Sequence, residues 1–269
     1  MPAKIAFLGS GRLASAIVRG LIARGVYAPA EIACTSQGGE TARRLAAETG
    51  IACEPDLPRL LSSSVDVVVV AFKPQSLAAA DPRLGELTAG KLVVSLLAGK
   101  RLARLAQVFP RARNLVRTMP NTPAAIGAGI TPYCPLAPLA VADQAAVEAM
   151  LGALGRHFPL AEEHLDAVTA LSAGGPAFLF EFTAALREAG IAAGLPSEVS
   201  ARLATETLIG SAKLLGHTRA DPEALRDQVV SPNGTTFAGL QVMAARQFRE
   251  TVRDTILAAK RRATELSQD

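Results

Sequence analysis

A short glycine-containing segment near the start of the chain constrains its fold more than any other feature. Ile5 to Leu8 is an apolar run long enough for a buried strand, and Gly9-Ser10-Gly11-Arg12-Leu13-Ala14 follows at once. After it, Leu13, Ile17 and Leu21 recur at helical spacing. The pattern therefore predicts a strand, a tight turn and a helix.

This turn has the residues that a dinucleotide site requires. Gly9 permits the turn, and Gly11 lets a pyrophosphate approach the backbone because it has no Cβ. Ala14 is small enough for close packing of the helix on the strand. The helix N-terminus then offers N–H groups to phosphates. The alternative is a glycine turn that binds nothing, but its position between a strand and a helix favours the nucleotide site.

The first part of the chain alternates between predicted strands and helices. This alternation predicts an α/β N-terminal domain with a doubly wound, mostly parallel sheet. Thr131 to Ala140 contains three prolines and is predicted to be a loop. The later strands are predicted at residues 31–36, 65–72, 92–96, 114–118 and 156–160, with helices at 41–48 and 144–154.

The end of the second strand indicates which coenzyme the turn would hold. NAD-binding units usually place an acidic residue there for the ribose hydroxyls. Here the strand ends in Cys34-Thr35-Ser36-Gln37, so no carboxylate repels a 2′-phosphate, and Arg43 or Arg44 lies within reach along the chain. We therefore expect NADP(H) to be preferred. The alternative is a pocket that also accepts NAD(H).

The alternation of strands and helices stops near Glu162, and the pattern becomes helical. We expect residues 1–161 to form the NADP(H)-binding domain and residues 162–269 to form an all-α domain. Apolar residues of the segment from Leu165 to Gly194 cover more than one side of a helix, so one neighbouring helix cannot bury them. About a hundred residues make a poor independent core, which predicts a homodimer.

Two stretches interrupt the helical pattern, Ser172 to Phe178 and Ser231 to Thr236. The second is a turn that leads into a helix, with Thr235 and Thr236 near the helix start. N–H groups and hydroxyls there would suit a carboxylate. An ordinary capped helix explains the same residues equally well.

Composition excludes several other classes of function. The net charge is +4 with dispersed basic residues, so we expect no nucleic-acid partner. The strongly apolar run at 67–72 is too short to span a membrane. Cys34, Cys53 and Cys134 lack metal-binding spacing, so we expect no metal, reduced thiols and a cytoplasmic location.

Several longer motifs resemble those of the pyrroline-5-carboxylate reductase family over essentially the whole chain. The Met-Pro-Asn-Thr-Pro and Ser-Pro-x-Gly-Thr-Thr strings are specific to that family, whereas the glycine turn is not. The matching segments are Gly9-x-Gly11-x-x-Ala14, Phe72-Lys73-Pro74-Gln75, Arg117-x-Met119-Pro120-Asn121-Thr122-Pro123, Asp166 to Ser172, Gly194-Leu195-Pro196 and Ser231-Pro232-Asn233-Gly234-Thr235-Thr236.

The resemblance implies a Rossmann domain, a helical domain that interlocks with a partner chain, sometimes rings of dimers, and reduction of a cyclic imino acid by NADPH or, less often, NADH. Hydride transfer to a protonated imine needs no metal and depends mainly on positioning. Thr236 would hydrogen-bond the ring nitrogen and act as the catalytic residue. The residues implied for the coenzyme are Leu8, Gly9, Ser10, Gly11, Arg12, Leu13, Thr35, Ser36, Ala71, Phe72, Lys73, Pro74, Leu96, Leu97, Ala98 and Asn121. Those implied for the substrate are Ser172, Gly175, Pro176, Ser231, Gly234, Thr235 and Thr236.

One departure from the family pattern bears on the substrate. The family sequence Ser-Gly-Ser-Gly-Pro-Ala-Tyr is Ser172-Ala173-Gly174-Gly175-Pro176-Ala177-Phe178 here, which removes two hydroxyls beside the expected substrate position. Reduction of another cyclic imino acid, or a non-catalytic NADP(H)-binding role, is therefore an alternative. A 3-hydroxyacid dehydrogenase is disfavoured because residues 165–186 contain no lysine to act as the base.

Overall fold

The computed structural model describes residues 4–267 and divides into two compact units. The first unit comprises the chain up to Gly174 together with the residues from Ala259 onward, and the second is Gly175–Ala258. The predicted domain boundary between residues 161 and 162 stays a prediction. Residues 162–174 group with the first unit partly because Glu162 and Asp166 pair with Arg117.

The first unit is built on an eight-stranded sheet in the order β3-β2-β1-β4-β5-β6-β7-β8. All neighbouring strands are parallel except β6 and β7, which are antiparallel. The strands are β1 Ile5–Leu8, β2 Ile32–Thr35, β3 Ala52–Cys53, β4 Val67–Val70, β5 Leu92–Ser95, β6 Asn114–Thr118, β7 Gly129–Pro135 and β8 Gly155–Pro159. This topology confirms the predicted doubly wound, mostly parallel sheet.

Helices cover both faces of this sheet. On one face, Phe7 and Val69 pack in the core with the buried side of the first helix, whereas Leu8 and Val70 belong to the core on the opposite face. Burial on both faces explains why β1 and β4 are apolar throughout. The helices of this unit are α1 Arg12–Ala23, α2 Glu40–Thr49, α3 Leu57–Leu60, α4 Leu84–Leu87, α5 Leu102–Val108, α6 Val141–Gly152 and α7 Leu165–Val168.

The prediction of a loop at 131–140 is wrong for its first half, which belongs to β7. Pro132 and Pro135 lack backbone N–H groups, but their fixed φ is compatible with extended backbone. The carbonyl of Pro132 still accepts a hydrogen bond from the N–H of Met119 at 3.0 Å. The strand therefore tolerates Pro132, because its carbonyl oxygen still pairs with a backbone N–H next to β6.

The segment after α7 is a π-helical turn, Thr169–Ala173, in which the N–H of Gly174 donates to the carbonyl of Thr169 at 2.9 Å. A short π-helix is uncommon and often marks a functional position. The predicted interruption around Ser172 thus corresponds to a change of helix type.

The second unit is helical. Its helices are α8 Gly175–Ala192, α9 Ser197–Thr218, α10 Pro222–Gln228, α11 Thr235–Ala245 and the first part of α12 Phe248–Ser267. In Gly175–Ala258, only Pro176, Ser200 and Ala204 are buried, while large apolar side chains such as Phe180 and Val242 are more than 60% exposed. A single copy of this unit therefore buries little of its apolar surface.

Candidate functional site

A cavity of about 590 Å³ lies at the carboxyl ends of β1, β2 and β4. The strand order reverses beside β1, and open α/β sheets bind ligands at such a point. The turn after β1, the end of β2 and the segment after β4 contribute the lining. Of the predicted coenzyme residues, the lining includes Leu8, Gly9, Ser10, Gly11, Thr35, Ser36, Ala71, Phe72 and Lys73.

The two glycines of the first turn have different structural requirements. Gly9 has φ +118°, and a Cβ there would lie 2.5 Å from the carbonyl carbon of Ala71. Gly11 has extended backbone, and a Cβ on it would meet no atom within 4 Å. Gly9 is therefore needed by the fold itself, whereas the open space beside Gly11 is available to a ligand.

The N-terminus of α1 is uncapped by side chains among the described residues, and its N-cap residue is Gly11. The N–H groups of the first turn thus remain available for an anion such as a pyrophosphate. The residues present fit a dinucleotide at this end of the sheet.

Hydroxyl groups surround the end of β2. Ser10 Oγ lies 2.7 Å from Thr41 Oγ1, and Ser36 Oγ accepts a hydrogen bond from the N–H of Ala42 at 3.2 Å. Arg43 donates to the carbonyl of Gly38 at 3.5 Å and is not part of the cavity lining. Gly38 and Gly39 both have positive φ, a backbone conformation that glycine adopts readily, and they form the short connection from β2 to α2.

A carboxylate that sequence reasoning missed also lines this cavity. Asp81 comes from the segment after β4, and its Oδ2 lies 2.7 Å from Arg83 Nη2. The hydrogen bonds from Arg83 hold the pKa of Asp81 below its usual range. The ion pair thus offsets a negative charge beside the candidate nucleotide site. The other lining residues that were not predicted are Gln37, Thr41, Leu57, Ser76, Ala79, Ala80 and Leu84.

The remaining predicted coenzyme residues lie outside the cavity lining. Arg12 is exposed and Leu13 half-buried in the first turn of α1, and Pro74 follows Lys73. Leu96 and Leu97 follow β5, and Leu97 is only 1% exposed in the core, so any ligand contact would come from its backbone. Ala98 is exposed beside them.

Asn121 lies next to a residue predicted for the substrate. Its Oδ1 accepts from the N–H of Ile130 at 3.0 Å, and its Nδ2 lies 3.5 Å from Ser172 Oγ. The first unit therefore brings one candidate coenzyme residue and one candidate substrate residue together.

The other predicted substrate residues belong to the second unit. The turn at Ser231 leads to α11, which begins at Thr235, as the sequence predicts. Gly234 is the N-cap residue, and no side chain in the described part of the chain caps this helix. This geometry favours an available anion site over an ordinary capped helix start. Gly175 and Pro176 are the first two residues of α8.

Within residues 4–267, no group of three or more His, Cys, Asp or Glu side chains is arranged to hold a metal ion. No helix in the same range has both the length and the apolar character needed to cross a bilayer. The three cysteines are free thiols, and burial raises the pKa of Cys34 to about 12.

Family models match both parts of the chain. Residues 162–266 match the model described as pyrroline-5-carboxylate reductase dimerisation. Residues 4–99 match the model described as NADP oxidoreductase, coenzyme F420-dependent.

Full-length relatives support the same family. The chain is 38% identical to the pyrroline-5-carboxylate reductase of Arabidopsis thaliana, over 98% of this chain and 96% of that protein. A solved pyrroline-5-carboxylate reductase from Coxiella burnetii superposes with a TM-score of 0.91 at 31% identity, covering 99% of each chain. The Plasmodium falciparum enzyme, solved with NADP bound, gives 0.83 at 25% identity, covering 98% of each chain. The chain therefore belongs to the pyrroline-5-carboxylate reductase family.

Proposed function

We propose that this chain reduces the C=N bond of 1-pyrroline-5-carboxylate to give L-proline, with NADPH as the preferred reductant and NADH as a possible substitute. One observation carries the proposal above all. The identity to a named reductase extends over 98% of the chain, and so includes both the nucleotide cavity and the segment around Thr236. The lack of an acidic residue at Thr35 to Gln37 supports the preference for NADPH.

The proposed coenzyme site combines the cavity lining with the other predicted residues. NADPH, when bound, supplies the hydride. The N-terminus of α1 binds the pyrophosphate through its N–H groups, and Gly11 leaves the space for it. Thr35 and Ser36 contact the phosphate-bearing ribose. We extend the site to Arg12, Leu13, Pro74, Leu96, Leu97, Ala98 and Asn121 on the family resemblance alone.

The proposed substrate site lies at the start of α11. The N–H groups and hydroxyls of Thr235 and Thr236 bind the carboxylate, with Ser231 and Gly234 shaping the turn. Thr236 hydrogen-bonds the ring nitrogen and helps to deliver the proton that the amine product requires. We add Ser172, Gly175 and Pro176 to the substrate residues on the family resemblance alone. The main contribution of these residues is to orient the imine for attack, which is catalysis by positioning.

We further propose a homodimer formed through the helical part of the chain, with a ring of dimers as a possible larger assembly. The apolar side chains that one copy leaves exposed support a second copy as the partner, and the family model of this region is one of dimerisation. We assign coenzyme binding to residues 1–161, and dimerisation with substrate binding to residues 162–269. The free cysteines support a cytoplasmic location.

The decisive experiment is an NADPH oxidation assay with 1-pyrroline-5-carboxylate, combined with rescue of a proline auxotroph. We expect turnover and rescue. NADPH binding without either result would contradict the proposal and favour a non-catalytic role. Repeating the assay with NADH tests the coenzyme preference.

A second substrate is favoured by one observation, the replacement of the family hydroxyls at Gly174 and Phe178. A site that lacks donors discriminates less strongly between similar imines. The ratio of kcat/KM for the five-membered ring to that for its six-membered homologue tests this alternative. A ratio below one would assign the six-membered imino acid as the better substrate.

A further inference from the structure

A buried ionic cluster in the first unit lies outside the residues assigned to the proposed reaction. Arg117, the fourth residue of β6, has a side chain only 1% exposed. Its Nη1 lies 3.0 Å from Glu162 Oε1, and its Nη2 lies 3.5 Å from Asp166 Oδ1. The Nε of Arg117 is buried and has no hydrogen-bond partner among residues 4–267. We call Arg117, Glu162 and Asp166 the Arg117 cluster.

Two other parts of the first unit converge on this cluster. Glu162 Oε1 also accepts the N–H of Leu102 at 2.7 Å, at the start of α5. Asp166 Oδ2 accepts a hydrogen bond from Thr264 Oγ1 at 3.1 Å, in the last turn of α12. Ser267 Oγ lies 3.2 Å from the same oxygen and 2.8 Å from the carbonyl of Thr264, and these two acceptors compete for its one proton. The cluster therefore joins β6, α5, α7 and the end of α12.

The cluster also joins the two segments that carry Asn121 and Ser172. Asn121 follows Arg117 by four residues, and Ser172 lies six residues after Asp166, in the π-helical turn 169–173. The side chains of Asn121 and Ser172 are 3.5 Å apart between Nδ2 and Oγ. The contact of Arg117 with Asp166, at 3.5 Å, therefore links the two segments that carry these polar groups.

A buried ion pair adds little net stability, since apolar residues of similar volume often stabilise as well or better. Its hydrogen bonds are directional, however, and they favour one arrangement of the elements that they join. The Arg117 cluster is therefore better explained by the arrangement it gives to these elements than by the stability it adds.

We propose that Arg117 and Asp166 are positioning residues that set the geometry of Asn121 and Ser172, and that the last turn of α12 completes this arrangement through Thr264 and Ser267. The functional part of the proposal rests on the proposed imine reduction. It assigns the last turn of α12 a role in substrate turnover without any contact to the substrate.

The main test uses the double variant Thr264→Val, Ser267→Ala, which removes both hydroxyls that contact Asp166 Oδ2, while Arg117 and Arg101 remain as its cationic neighbours. We expect KM for 1-pyrroline-5-carboxylate to rise and kcat to fall, with a loss of about tenfold in kcat/KM. The dissociation constant of NADPH should change much less than kcat/KM, because the nucleotide cavity contains no member of the cluster and Asn121 lies outside its lining. Amide hydrogen exchange of residues 169–174 should become faster.

Three further variants make the result specific. Thr264→Ser, in the presence of Ser267, should restore wild-type kinetics because it keeps the hydroxyl. Arg117→Lys keeps the charge but loses the two-pronged contact, so it should show the same pattern as the double variant, more strongly. Thr255→Val removes an exposed hydroxyl from the same helix, one that donates to the carbonyl of Thr251, and should change nothing.

Wild-type kcat, KM and hydrogen exchange in the double variant and in Arg117→Lys would overturn the proposal and leave the cluster a purely stabilising role. A loss of NADPH affinity as large as the loss of kcat/KM would also overturn the proposal, because the variants would then destabilise the whole unit. If the wild-type chain binds NADPH but reduces no cyclic imine, the proposed function fails separately. In that case the exchange of residues 169–174 alone decides whether the cluster positions this segment.

Discussion

Gly9 and Gly11 are two positions apart, yet the structure gives them opposite sensitivities. An added Cβ at Gly9 would meet the backbone of Ala71 and Phe72, and its φ of +118° is unfavourable for other residues. A Cβ at Gly11 would enter empty space next to the cavity. A pair of single substitutions can therefore separate the needs of the fold from those of the coenzyme.

We expect Gly11→Ala to have the same unfolding temperature as the wild type. It should bind NADPH at least tenfold more weakly, a loss of about 1.4 kcal/mol of binding free energy. Gly9→Ala should lose several kcal/mol of stability, since a backbone clash adds to the strain of positive φ. Thermal unfolding and fluorescence titration with NADPH measure the two effects. Equal NADPH affinity in Gly11→Ala and wild type would show that the pyrophosphate binds elsewhere.

The raised pKa of the Cys34 thiol predicts its reactivity at mildly alkaline pH. It is fully buried in the core, and burial raises its pKa to about 12. The thiol therefore stays protonated throughout the neutral range, and only the thiolate reacts readily with alkylating reagents. We expect iodoacetamide to leave Cys34 unlabelled in the native protein at pH 8 and to label it after denaturation, as read by peptide mass spectrometry. Rapid native labelling would mean that β2 opens.

Single elements show where sequence reasoning succeeds and where it fails. The bounds of β1 and β6 agree with the predictions, because each strand runs up to a clear turn signal, the glycine turn after β1 and Pro120 after β6. The proline-rich segment of β7 has no such signal. Its place in the sheet depends on pairing with β6 and β8, which are distant contacts that a local pattern does not reveal. The same reason explains why Asp81 was missed. Its segment reaches the cavity through distant packing, with Leu77 and Leu84 in the same buried core as Val70 of β4.

The start of α11 is the element on which the proposed substrate site depends. Thr236→Val preserves the shape of the side chain and removes its hydroxyl. We expect a fall of about tenfold to a hundredfold in kcat/KM for 1-pyrroline-5-carboxylate, in the range given by loss of a hydrogen bond to a charged group. Thr236→Ser should retain most of the activity. If both variants behave like wild type, the carboxylate and the ring nitrogen are held by other residues.

For the whole molecule, composition and periodicity indicated a helical region that cannot bury its apolar residues alone, and the exposed side chains of α8, α9 and α11 agree with that prediction. The sequence could not say which faces remain uncovered, because that depends on how α8 and α9 pack on each other. The structure adds this detail, with Ser200 Oγ donating to the carbonyl of Arg187 at 2.7 Å between these two helices.

We expect Phe180→Glu to shift the protein towards the monomer, since a charge would replace a side chain that is 64% exposed in one copy. Sedimentation velocity over a range of protein concentrations measures the change. Glu181→Gln, an exposed neighbour on the same helix, serves as the matched control and should leave the association unchanged. An unaltered dimer in Phe180→Glu would place this side chain outside the interface.

The tight approach of Gly9 to the backbone after β4 also determines where this scaffold can evolve. Variation at that glycine would be removed by selection on folding before any change in cofactor choice could appear. Thr35 and Ser36 are half-buried, Gln37 is exposed, and all three line the cavity, so mutations that convert one nicotinamide specificity into the other should accumulate there first. Directed evolution towards NADH is best begun by randomising those three codons.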